Sequence, residues 1–167
     1  MKFPLRFVLV LESILLTDKE RHIIDVYRNG ETAVLTTVTG TVCPCYTAKA
    51  NYSPDWHRTN TGAENCNGTL LISRTSTNTN ILMMSYPASL KLQALTLSKE
   101  QMTVIGEIQE DDLVCYGIIT AAGAEIDISA LDEKHDYITY DSKKYIVRYH
   151  FPAIGYLQTA LLRRINP

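Results

Sequence analysis

Hydrophobic and polar positions alternate in short runs along most of this chain, with turn residues between them, the pattern of an all-β sandwich or barrel. The run "HIIDVYR" (residues 22–28) leads through Asn29-Gly30, a hairpin signal, into "TAVLTTVTGTVC" (32–43). Further strands are predicted at "TLLISR" (69–74), "NILMMSY" (80–86), "LKLQALTLS" (90–98), "DDLVCYGII" (111–119) and "EIDIS" (125–129). Pro87 marks a break, and "TSTNTN" (75–80) reads as a solvated turn. The clearest pattern is C-terminal: "DYITY" (136–140), the polar turn Asp141-Ser142-Lys143, then "KYIVRYHF" (144–151), with Tyr145, Val147, Tyr149 and Phe151 on one face. A last strand, "YLQTALLRRI" (156–165), sets Leu157, Leu161 and Ile165 against Gln158 and Arg164.

Residues 1–18 have a different period. Leu5, Val8, Leu11 and Leu15 form a helical stripe behind Pro4, and Phe7, Val10 and Ile14 widen it. An amphipathic N-terminal helix is predicted, either covering the core or docking on a neighbour. Glu12 interrupts the apolar run and no small-residue cleavage site follows Leu16, so a signal peptide is a poorer fit. The segment is also too short and too charged to span a bilayer.

With 167 residues and 46% hydrophobic content, the chain can bury one sizeable core, and a single domain is expected over residues 1–167. The formal net charge is −2 and the cations are dispersed, which argues against nucleic acid as the main partner.

One stretch departs from the strand texture. Residues 43–68, rich in Asn, Thr and Asp, hold Cys43, Cys45, His57 and Cys66 in the spacing C-x-C-x11-H-x8-C. Three thiolates and an imidazole are the ligand set of a structural zinc ion, Zn2+, with every tetrahedral position closed by protein. Pro44 stiffens the first pair, and Asn67-Gly68 supplies the turn that a backbone needs to wrap a metal-bound sulfur. Asp55 or Glu64 is the substitute ligand if His57 points elsewhere. The rival readings are a disulfide from Cys66 to Cys43 or Cys45, unligated cysteines, and a redox-active Cys-x-Cys pair, the last lacking any neighbour that would lower a thiol pKa. A metal clip would order a segment that has little apolar surface to bury, and would present Tyr46, Tyr52 and Trp56 as contact residues or as cover for the site.

Candidate catalytic groups are sparse. Cys115 lies in an apolar strand, His22, His135 and His150 lack partners at motif spacing, and the acidic run "EIQEDD" (107–112) reads as a solvated turn. No phosphate loop, nucleophile elbow or metalloprotease motif is present, and a non-enzyme is expected.

The C-terminal half, "GEIQEDDLVCYGII" and "IDISALDEKHDYITYDSKKYIVRYHFPAIGYLQTALLRRI", resembles the head-closure (stopper) and related head-to-tail joining proteins of tailed bacteriophages. The features that carry the likeness are Asp136 before a strand, the hairpin "TYDSKKYIV" (139–147) and the closing strand ending at Leu161–Ile165. Ser142 stands where glycine is usual, and the Cys-rich excursion is not general in that family. The resemblance implies a small β-barrel, a ring of identical copies in the virion neck, and contacts with the portal or an adaptor protein and with tail proteins. Incidental contact with packaged DNA, assembly in the host cytoplasm and no membrane role are also implied. A tail terminator or other tail subunit, and a zinc-stabilised protein-binding module, are the alternative readings.

Overall fold

The computed structural model describes residues 17–47, 54–91, 98–151 and 158–165. The N-terminal helix expected over residues 1–18 lies almost wholly outside them. Six strands, β1 (Glu31–Val42), β2 (Leu71–Pro87), β3 (Leu113–Thr120), β4 (Tyr137–Tyr140), β5 (Lys143–Phe151) and β6 (Thr159–Ile165), form a closed antiparallel barrel in the order β1-β2-β3-β6-β5-β4. Its interior holds Ala33, Leu35, Ile81, Met83, Cys115, Ile118, Ile138, Tyr145, Ala160 and Leu162, with Ile128 beside them. These are alternate positions along the strands, as a pleat with one inward face requires, except in β3, where a bulge at Gly117 (φ 67°) separates Cys115 from Ile118 by three residues.

Helix α1 (Asp18–Asn29) occupies the stretch where the alternation suggested a first strand. Its start is fixed by a capping box: the Thr17 hydroxyl accepts from the Glu20 amide while the Glu20 carboxylate accepts from the Thr17 amide. Ile23 and Val26, one turn apart, then seat on Leu82, Met84 and Ile119 of the barrel wall. Asn29-Gly30 is therefore a helix stop rather than a hairpin, with the Gly30 amide donating to the Val26 carbonyl and Gly30 at φ −73°.

Two short helices follow β1, α2 (Pro44–Thr47) and α3 (Pro54–Thr59). After β2 come α4 (Ala88–Lys91) and α5 (Lys99–Ile105), so the strand expected over residues 90–98 begins as helix, and residues 92–97 lie outside the described set. A second apolar cluster, Ala88, Ile105, Val114, Phe151 and Leu161, lies against the outer wall. Strands β3 and β6 are thus buried on both faces, which explains their near-continuous apolar runs. The "EIDIS" segment makes only one bridge, Glu125 to Ile119, before a 3₁₀ turn at Ile128–Ala130.

The β4–β5 hairpin turns through Asp141 and Ser142, at φ 47° and 60°, with Lys143 already paired to Tyr140. Both central residues are left-handed, the geometry that matches strand twist. A bulge at Arg148 then exchanges the faces of β5. Tyr145 and Val147 meet the barrel interior, whereas Tyr149 and Phe151 join the outer cluster, so the four aromatic and aliphatic residues do not share one face.

The two runs "TLLISR" and "NILMMSY" belong to one 17-residue strand, and the segment between them is strand rather than turn. Strand β1 meets β4 only over Val34–Thr36, and β2 meets β3 only from Ile81 onward. Residues 37–42 and 71–80 therefore leave the barrel as a two-stranded ribbon, exposed over Ser73–Asn78. The Cys-rich stretch closes the far end of this ribbon.

Candidate metal centre

Each member of the sequence-predicted set is delivered by a different local device. Cys43 follows the last residue of β1, where its amide donates to the Leu70 carbonyl across the ribbon at 2.7 Å. Pro44 opens α2 and places Cys45 in the same turn, pinned by the Tyr46 amide on the Cys43 carbonyl. His57 projects from α3. Cys66 precedes Asn67 and Gly68, at φ 49° and 79°, and the Thr69 amide and hydroxyl both donate to the Cys66 carbonyl. Glycine at the second position accommodates the left-handed backbone without a Cβ penalty.

The structure brings all four together. His57 Nε2 lies 3.3 Å from Cys43 Sγ and 3.4 Å from Cys66 Sγ, Cys45 Sγ lies 3.6 Å from Cys66 Sγ, and the four donor atoms fall within 4.8 Å of one another. Zinc bonds of about 2.3 Å to sulfur and about 2.05 Å to nitrogen would space tetrahedral donors roughly 3.5–3.8 Å apart. The residues fit a Cys3His ion. The sulfurs are too far apart for a disulfide, and all four cysteines of the chain are free. The substitute ligands are engaged elsewhere: Asp55 pairs with Arg58, and Glu64 accepts from the Ser73 amide and hydroxyl.

All three ligand cysteines are fully buried, and Trp56, Leu70 and Ile72 pack against them. The Trp56 ring meets the His57 imidazole edge-on at 4.9 Å, which makes Trp56 cover for the centre. Tyr46 is 39% exposed, and Tyr52 lies outside the described residues. Among the described residues the sulfurs are thus the core of this lobe. Burial opposes ionisation of Cys66, but hydrogen bonds from His57, the Gly68 amide, Cys45 and the Leu70 amide outweigh it and take the thiol down to about 6. Burial, reinforced by Cys43 and Cys66, pushes Cys45 up to about 12. One thiolate is ready to meet a cation, and the remaining protons leave as the metal binds.

Sequence reasoning passed over the brace beneath this lobe. His135 has a partner after all: its Nδ1 is 2.9 Å from Asp132 Oδ2, while its Nε2 donates to the Thr69 carbonyl, just after Cys66. Donation from both nitrogens requires the imidazolium, and although burial works against it, these contacts and the Asp132 and Asp136 charges raise the His135 pKa. Asp136 accepts from the Val38 amide of the ribbon at 2.8 Å and from the Asp132 amide at 2.9 Å. The spacing Asp132-x-x-His135 was the available signal. Likewise, the acidic run 107–112 is more than a solvated turn: Asp112 is fully buried against Arg163, and Asp111 bridges Arg164 and Lys143.

Cys115 is enclosed in the barrel interior, where burial raises its pKa far out of the reactive range. Among the described residues no helix is long and apolar enough to cross a membrane. Compared with known proteins, the chain matches no family model, no curated sequence and no solved structure.

Proposed function

We propose that this protein is a structural assembly subunit whose ribbon tip is held by one zinc ion, and that it serves in the head-to-tail joint of a tailed bacteriophage. The observation that carries the structural role is the closed ligand set. Cys43, Cys45, His57 and Cys66 fill a tetrahedron with protein atoms, the three cysteines buried and His57 half-buried beside Trp56, which leaves no open coordination position for a substrate or a reactive water. Such a centre orders its lobe and does no chemistry.

The neck assignment rests on the sequence resemblance of the C-terminal half, whose β4–β5 hairpin and closing strand β6 make up half of the barrel wall. Exposed apolar side chains support an assembly role: Tyr27 on α1, Val42 and Tyr46 at the ribbon tip, and Met102 and Val104 on α5. They are spread around the molecule, as a subunit with neighbours on several sides requires, and head-to-tail contacts between identical copies close into rings when the rotation permits. Under this reading the partners are further copies, the portal or adaptor, and tail proteins. Disrupting the gene in the parent phage should yield filled capsids and free tails that the purified protein joins in vitro. Joined, infectious virions from the disrupted phage would overturn the assignment.

A further inference from the structure

The barrel is closed, and beyond it the ribbon leaves each of its strands with one edge that has no ladder partner. Along β1, the outward amide of Val38 is taken by Asp136. Along β2, the Asn80 carbonyl turns outward to accept from the Ala121 amide, and over the regular ladder this fixes the alternation: the main-chain groups of Ser76 and Asn78 face the same way. No described group bonds them. Ser73, left-handed at φ 51° and bonded to Glu64, bends the strand at one end of this edge, and the Asn80 contact with Ala121 ends it at the other.

What remains is an edge over Thr75–Thr79, bounded by Arg74 and by the bulge that sets Ser73 and Arg74 opposite Gly40; within it the usual guards are missing among the described residues. Exposed edges are normally protected by lysine, proline, a bulge or a covering segment. Here residues 75–80 are Thr, Ser, Thr, Asn, Thr and Asn, without charge or proline. Recognition of a foreign peptide by strand addition draws specificity from flanking side-chain pockets. The described residues form no such pocket beside this edge, which is exposed over Ser73–Asn78. An uncharged, small-residue edge without pockets is complementary to itself.

We propose that two copies of this chain pair through the β2 edge, antiparallel, about a twofold axis at Ser76. Ser76 then faces Ser76 of the second copy, Arg74 faces Asn78, and the two Arg74 guanidinium groups stand well apart. The pairing is independent of the phage reading and of the metal's identity.

Sedimentation velocity on the full chain across a concentration series, together with two substitutions, tests it. Wild type should pass from monomer to dimer or to a dimer-based assembly. Ser76→Lys, which sets like charges opposite each other on an exposed site, should abolish that step while leaving the melting temperature unchanged. Ser76→Cys should give a disulfide-linked dimer under mild oxidation, because the facing Cα atoms of such a pair are about 5.5 Å apart, within disulfide reach. Thr79→Cys, out of register, should not crosslink. A chain that stays monomeric, an assembly indifferent to Ser76→Lys, or equal crosslinking of the two cysteine variants would each overturn the proposal.

Discussion

Replacing Arg163 with methionine should be among the most damaging single changes in this barrel. Asp112 has no exposed surface, and Arg163 meets it with two donors, Nε to Oδ1 at 3.3 Å and Nη2 to Oδ2 at 3.0 Å. Methionine keeps the aliphatic reach along β6 but leaves the carboxylate with the Gln109 amide as its remaining side-chain partner. Breaking one side of a buried ion pair costs roughly 3–5 kcal/mol, because the surviving charge has neither water nor counter-ion. The Arg163 side chain is 20% exposed, so some water can reach the vacated site and the low end, about 3 kcal/mol, applies. For a domain of this size that corresponds to a melting temperature lowered by roughly 6–12 °C. Thermal unfolding followed by circular dichroism at neutral pH reads the shift directly. Changing Asp112 to asparagine in the same chain removes the orphaned charge and should recover more than half of the loss. A single variant that melts within about 1 °C of wild type would refute the reasoning, as would a double variant no better than the single one.

Other consequences can be checked with the same melts. Val147→Asp sets a carboxylate at a half-buried position against the core and should cost about 1–3 kcal/mol; an unchanged melting temperature would show that the β5 register is wrong. Ser98→Ala removes the capping box of α5 and should cost about 1 kcal/mol, with no loss refuting the cap. The His135 pKa is raised on folding, so its contribution is fully present below the unfolded value and fades as pH rises through the folded one. His135→Asn should flatten that part of the stability-pH profile, and an identical profile in both proteins would show that the brace is not coupled to folding.

How far the sequence could be read depended on whether a local signal matched its tertiary setting. The β4–β5 hairpin was legible because its alternation and its polar turn at Asp141-Ser142 agree. The ligand set was legible because cysteine and histidine spacing is a chemical signature that survives in a segment without periodicity. The ribbon was not, since strand residues 73–78 are exposed on both faces and have no apolar side to betray them. Helix α1 is missed because Asn29-Gly30 reads as a hairpin turn and outweighs the helical spacing of Ile23, Val26 and Tyr27, while the deciding pair, Thr17 with Glu20, lies upstream of that run. Nothing around Arg148 announces the bulge that turns Tyr149 and Phe151 outward; the covering cluster of Ile105 and Leu161 rewards it only in the folded chain.

The claim on which the account turns is that Cys43, Cys45, His57 and Cys66 hold a structural zinc ion. Elemental analysis of the purified chain, without added metal, tests it most directly. About one zinc per chain is expected, and Cys66→Ser should lose the metal and the order of the ribbon tip while the barrel stays folded. Zinc below roughly a tenth of an equivalent, with Cys66→Ser as stable and as protease-resistant as wild type, would contradict it.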